Sequence, residues 1–215
     1  MKLIWSEVRQ CSRDLREGPL RAPLEETNSM KIAILNSNLA PGGKSAAIVE
    51  VLAMLVKAGG HEPMAHHLSD LSLPHCDGYH CYRDETTIAL TAELVAADAI
   101  ILVSPVYNYD LNAAAKNLIE LTGFGWKGKA VGLVCTAAAD RSYLSPISFM
   151  NSLAIDYRCL VSPRFVYVTR SDFAEDNLLP EGSHIIERLD RLCREIPILA
   201  EAAAKIAMLN PAEQL

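Results

Sequence analysis

The chain predicts an α/β fold, a five-stranded parallel sheet with helices on both faces, and three observations carry that prediction. Five short segments, "KIAILN", "EPMAHH", "AIILVS", "KAVGLVC" and "RFVYVT", recur along the chain with helix-length stretches between them. Three of the five are nearly continuous apolar runs, as strands covered on both faces should be. Strands joined through intervening helices make right-handed crossovers, which yield a parallel sheet. In such a sheet a ligand sits at the carboxyl ends of the strands, where the strand order reverses.

Residues 1–29 stand apart. They are rich in Arg and Glu, contain Pro19 and Pro23, and show no sustained apolar period, so they read as a flexible N-terminal tail. Met30 opens the folded domain, which takes in residues 30–215. The first strand, Lys31 to Asn36, is followed by a loop to Ser45 and then a helix with Ile48, Leu52 and Leu55 on one face. Gly59 and Gly60 stop that helix. Strands over Glu62–His67, Ala99–Ser104, Lys129–Cys135 and Arg164–Thr169 come next in order. The last helix places Ile185, Leu189, Leu192, Ile196 and Leu199 at three- and four-residue steps, and Pro197 is expected to kink it or end it early. Three loops leave carboxyl ends of strands and so matter most: Asn36–Ser45, Ser104–Asn112 and Thr136–Ser145.

Composition narrows the function. With 215 residues, 50% of them hydrophobic, the chain can bury a full core. A formal charge of -6 argues against nucleic acid or an anionic membrane as the partner, because neither counterion release nor long-range attraction would favour it. A small soluble ligand fits better. The six scattered cysteines read as reduced thiols in a cytoplasmic protein. No apolar run is long enough to span a membrane, and the first twenty residues break into charge too early for a signal peptide.

The first loop, "NSNLAPGGKSAA", comes within one residue of a P-loop: Gly43, Lys44 and Ser45 fit, and Asn38 stands where the first glycine belongs. Two glycines, a cation and a hydroxyl at a helix start make an anion site, phosphate being the natural occupant; the alternative is a plain turn with Ser45 as the helix cap. A nucleotide hydrolase also needs an acidic magnesium ligand at another strand's end. The three apolar strands run instead into Ser104, Thr136 and Arg170.

The second loop is the most specific feature. Ala97-Asp98, then Ser104-Pro105-Val106-Tyr107-Asn108, then Lys116-Asn117 resemble the signature of the NADPH-dependent FMN reductase family. That resemblance implies a flavodoxin-like three-layer sandwich from Met30 to the last helix. It implies FMN as cofactor and NADPH or NADH as co-substrate, with a hydride passed on to a small acceptor such as a flavin or a quinone. By the same resemblance Pro105, Val106, Tyr107 and Asn108 line the flavin ring, and Ser37, Asn38, Gly43, Lys44 and Ser45 take the FMN phosphate. Thr136, Ala137 and Ala138 complete the cofactor site from the third loop. The family's first loop usually reads Gly-Ser-x-Arg-x-x-Ser; here Asn36-Ser37 replaces Gly-Ser, Leu39 replaces the arginine, and Lys44 is the substitute cation. The third loop has Ala137, Ala138 and Ala139 where relatives often place glycine. Arg141 reads as a solvated rim residue, with a nicotinamide phosphate as its alternative partner. No catalytic side chain is expected, since the flavin carries the chemistry, and the resemblance implies a homodimer or homotetramer.

"HCDGYHCYRD" brackets a turn with Cys76 and Cys81. Its C-x4-C spacing is not a usual zinc pattern, and two cysteines are too few for an iron–sulfur cluster. A surface loop near the flavin edge is the favoured reading, a metal or a working disulfide the alternative, and no residue is assigned as a metal ligand. Two other functions stay open: an FMN-binding electron carrier, and a flavodoxin-like protein without redox activity.

Overall fold

A computed structural model of the protein describes residues 28–209. The tail expected over 1–29 therefore falls, except for Asn28 and Ser29, outside the described residues. The elements run β1 (Lys31–Asn36), α1 (Lys44–Ala58), β2 (Glu62–His67), α2 (Glu85–Ala96), β3 (Ala99–Tyr107) and β4 (Asp110–Leu111). They continue with α3 (Ala113–Thr122), β5 (Ala130–Ala137), α4 (Ile147–Ile155), β6 (Leu160–Val161), β7 (Val166–Thr169) and α5 (His184–Leu209).

The sheet order is β2-β1-β3-β5-β6, parallel throughout, with β7 also pairing parallel to β5. β6 lies against Ala130 and Val131, and β7 against Val134 to Ala137, so the two are one interrupted fifth strand. The interruption has a local cause. The Ser162 amide still donates to the Val131 carbonyl at 2.8 Å, but Pro163 has no amide hydrogen with which to extend the ladder.

Strand alternation divides the core in two. Ala33 and Leu35 of β1 and Ile100 and Leu102 of β3 pack with Leu94 of α2, Leu118 of α3 and Leu153 of α4. Ile32 and Ile34, with Ile101 and Val103, pack with Leu52 of α1 and Leu189 of α5. Burial on both sides is what makes these strands apolar at every position. Gly132 of β5 permits the closest approach, since a Cβ there would stand 3.1 Å from Ile196 Cδ1 and 3.2 Å from Leu192 Cδ1 of α5.

The helix ends follow local chemistry. α1 stops at Gly59, whose amide donates to the Leu55 carbonyl at 2.9 Å, with Gly60 at φ 87°. Asp84 caps α2 by accepting from the Thr87 amide at 2.8 Å. α5 corrects one half of an expectation: it does not end at Pro197 but continues to Leu209. A helical proline forfeits a hydrogen bond and costs about 3 kcal/mol. Burial of Ile196, Ala200 and Ala203 along the same face offsets that cost and holds the helix on the sheet. No helix among the described residues is long and apolar enough to cross a membrane.

Candidate functional site

The strand order reverses between β1 and β3, the position at which open α/β sheets leave a crevice. The loops after β1 and β3 flank that crevice, and the loop after β5 closes it on one side. The first two loops are joined beneath the surface by one buried side chain, Asn112.

Asn112 is the N-cap of α3. Its Oδ1 accepts from the Ala115 amide at 3.0 Å, the Ser37 hydroxyl at 2.8 Å and the Ser104 hydroxyl at 3.2 Å. Its Nδ2 donates to the Ser37 carbonyl at 2.7 Å. The second loop is thereby tied to the first. Ser37, fully buried, spends its hydroxyl and carbonyl on this bridge and its amide on the Val103 carbonyl at 2.9 Å.

In the first loop, Asn36 Nδ2 lies 3.0 Å from His67 Nδ1, and Asn36 Oδ1 accepts from the Asn38 amide at 3.1 Å. Asn38 Oδ1 in turn accepts from the Ala40 amide at 3.2 Å. Side chains therefore fold the loop back on itself before the glycines. Gly42 and Gly43 have φ of 70° and 83°, a region open to glycine at little cost. Among the described residues the amides of Gly42, Gly43, Lys44 and Ser45 have no partner, and Gly43 caps α1 without a side-chain hydrogen bond. Four free donors at the positive end of a fifteen-residue helix are the kind of donor set that suits an anion. The buried Ser45 hydroxyl lies 3.2 Å from the Thr136 hydroxyl of the third loop. Lys44 Nζ stands 5.1 Å from the centre of the Phe173 ring, a cation–π contact. Leu39 is exposed.

The second loop is a hairpin. Val106 pairs with Leu111 and Tyr107 with Asp110, antiparallel, leaving Asn108 and Tyr109 as a two-residue turn. Both turn residues have positive φ, 51° and 64°, the pattern of a type I′ turn. Asn tolerates that region, whereas Tyr pays about 1–2 kcal/mol for it. Pro105 is buried in β3 beside Thr136; Val106 is half-buried, and Tyr107, Asn108 and Tyr109 are exposed. Asp110 Oδ1 accepts from the Ser148 hydroxyl at 2.8 Å, which steadies the hairpin against α4.

In the third loop Ala137, Ala138 and Ala139 all keep negative φ, and Ala139 is extended at φ -153°. Glycine is not required there, so the methyl groups bring no backbone strain. The Tyr167 hydroxyl donates to the Ala139 carbonyl at 3.0 Å. Ala138, Ala139 and Asp140 line an open cavity with Thr169, Arg170 and Ser171. Arg141 is exposed at its margin.

The remaining signature residues are structural. Asp98 Oδ2 accepts from the Lys31 amide at 2.7 Å and pins the start of β1. Asn117 accepts from the Cys76 amide at 2.8 Å and donates to the Pro74 carbonyl at 2.9 Å. Lys116 pairs with Glu120 on the surface at 3.4 Å. The twelve predicted residues thus fall on three adjacent loops and the strand and helix ends that border them. Sequence reasoning passed over Asn112, although an asparagine directly before "AAAK" is a recognisable N-cap.

Residues 30–170 match the family model for NADPH-dependent FMN reductase. No curated protein sequence matches the chain. Among solved structures, FerB from Paracoccus denitrificans, a flavoenzyme NAD(P)H:(acceptor) oxidoreductase, is similar in fold with a TM-score of 0.67 and 19% identity, over 81% of this chain and 98% of that one. An NAD(P)H:quinone oxidoreductase from Methanothermobacter marburgensis follows at TM-score 0.60 and 15% identity, over 80% and 96%. An archaeal flavodoxin reaches TM-score 0.56 at 13% identity, over 80% and 99%. With the family model covering most of the sheet and all three loops, the chain belongs to the NADPH-dependent FMN reductase family, FMN-using oxidoreductases supplied with electrons by NAD(P)H.

Proposed function

We propose that the three loops together hold FMN, and that the protein passes a hydride from NADPH or NADH through it to a small acceptor such as a flavin or a quinone. The observation that carries this reading is the row of unpartnered amides from Gly42 to Ser45 at the start of α1. It suits a phosphate held mainly by backbone. Ser37 and Asn38 shape this phosphate site, and Gly43, Lys44 and Ser45 line it. Thr136 supports Ser45 from across the crevice.

Pro105, Val106, Tyr107 and Asn108 are assigned to the flat ring, with Ala137 and Ala138 opposite. Bound FMN supplies the two-electron chemistry. The chain binds and orients: Pro105 stiffens the approach, and the Asn112 bridge keeps the phosphate loop and ring loop in fixed relation. No acid or base side chain is assigned. The name of the Methanothermobacter protein supports a quinone-like acceptor, and that of the Paracoccus protein an acceptor it leaves unspecified. The same proposal makes the protein a cytoplasmic homodimer or homotetramer.

The test is anaerobic. Protein loaded with FMN is mixed with NADPH, then NADH, and absorbance is followed near 450 nm, about where oxidised flavins absorb. Bleaching by either donor is expected, with parallel double-reciprocal lines when donor and acceptor are varied. Failure of both donors to bleach bound FMN would leave an electron carrier, and failure to bind FMN at all would leave a flavodoxin-like protein without redox activity.

A further inference from the structure

The connection between β2 and α2 holds a chemistry that the FMN loops do not use. Cys76 is half-buried and Cys81 buried, and their sulfurs stand 3.8 Å apart. Three local features bring them together. The Asn117 side chain of α3 grips Pro74 and Cys76 by their backbone. Gly78, at φ 72°, reverses the chain. The Asp77 carboxylate then accepts from the Tyr79 amide at 2.9 Å and the Cys81 amide at 3.1 Å, which closes the turn. A disulfide needs sulfurs at about 2.05 Å, so closure from 3.8 Å asks for about 1.8 Å of approach.

The two thiols are unequal. Cys76 reaches solvent and has the Tyr82 hydroxyl 3.7 Å from its sulfur. Cys81 lies beneath it. Tyr82 has its own pKa raised, first by its hydrogen bond with Cys76, so it stays protonated and can donate toward a Cys76 thiolate. The other described thiols are poor competitors: burial pushes Cys135, Cys159 and Cys193 up to about 12.

We propose that Cys76 and Cys81 are a redox-active dithiol, oxidised by hydrogen peroxide to an intramolecular disulfide. The Cys76 thiolate attacks one peroxide oxygen and the O–O bond breaks. The departing hydroxide takes a proton and leaves as water, and Cys76 becomes a sulfenic acid. The Cys81 sulfur then attacks the Cys76 sulfur, the S–O bond breaks, and hydroxide leaves with the Cys81 proton as a second water. Two thiols are oxidised by two electrons, and one peroxide is reduced to two waters. The pair shares no residue with those assigned to FMN.

Full-length protein carrying Cys11→Ser removes the cysteine outside the described residues. Peroxide treatment followed by denaturation and alkylation should give two fewer alkylated cysteines than in the reduced sample. Digestion should yield a Cys76–Cys81 crosslinked peptide in monomeric chains, reversed by dithiothreitol. A dimedone reagent should capture sulfenic acid at Cys76 in Cys81→Ala, and Cys76→Ser, altered at the more exposed site, should keep Cys81 fully alkylatable. Cys76 and Cys81 both still alkylated after peroxide in the Cys11→Ser protein, or Cys76 advancing to sulfinic acid beside a free Cys81, would overturn the proposal.

Discussion

Replacing Asn112 with Ala tests the bridge on which the candidate site rests. The side chain caps α3, and loss of an asparagine cap costs about 1 kcal/mol. It also satisfies the buried Ser37 carbonyl and two buried hydroxyls, those of Ser37 and Ser104. The hydroxyls keep second acceptors, the Val103 carbonyl at 3.4 Å and the Pro105 carbonyl at 3.2 Å, so the group chiefly left without a partner is the Ser37 carbonyl, at a cost of about 1–3 kcal/mol. A total near 3 kcal/mol is expected. In a domain of this size each kcal/mol moves Tm by about 2–4 °C, so Tm should fall by about 6–12 °C. The assay is urea unfolding of the FMN-free protein followed by far-UV circular dichroism, which avoids stabilisation by bound ligand. Asn112→Ser separates the two parts of the cost: serine still caps the helix but is too short to bridge to Ser37, so it should recover about 1 kcal/mol. If Asn112→Ala costs less than about 1 kcal/mol, the hydrogen bonds to Ser37 and Ser104 are energetically idle and the reasoning fails.

On the proposed reading, Ser45→Ala should weaken FMN about tenfold or more and leave riboflavin unaffected, because a hydrogen bond to a charged group is worth roughly 1.5–3 kcal/mol. Equal loss for both ligands in a binding titration would put the phosphate elsewhere. Tyr109→Gly should stabilise the fold by about 0.5–1 kcal/mol, since the turn holds Tyr109 at φ 64° with its ring exposed. Unchanged or lower stability in urea would mean that the ring makes contacts worth more than the strain.

Strand positions were legible because burial on both faces writes itself into consecutive residues, as at Ile100 to Val103. The two-residue strands β4 and β6 were not, being too short for any period. β4 was hidden further by Tyr109, which occupies a turn position where glycine would have signalled a hairpin. The early end expected at Pro197 erred in the opposite direction, because the residue's local cost is visible in sequence and the packing that outweighs it is tertiary. At the site, the spacing of motifs placed three loops on one end of the sheet. The bond between Ser37 and Asn112 spans 75 positions, and nothing local to either residue announces it.

The first loop shows why its departures from the family pattern need not empty it. A motif read by side chains counts a missing arginine at Leu39 and a lysine drawn toward Phe173. The donors present are backbone amides, whose direction depends on the dihedrals of Gly42 and Gly43 and on where α1 begins. Each neutral amide bond is worth about 0.5–1.5 kcal/mol, and the helix terminus adds about 0.3–1 kcal/mol toward an anion. Four amides together therefore rival one guanidinium fork in strength. Their aim is set by rigid elements instead of a flexible side chain. On the proposed reading, Gly42 and Gly43 at positive φ matter more to a bound phosphate than the identity of the nearest cation. The arginine that the motif lacks is then a substitution in kind, from side-chain charge to backbone geometry.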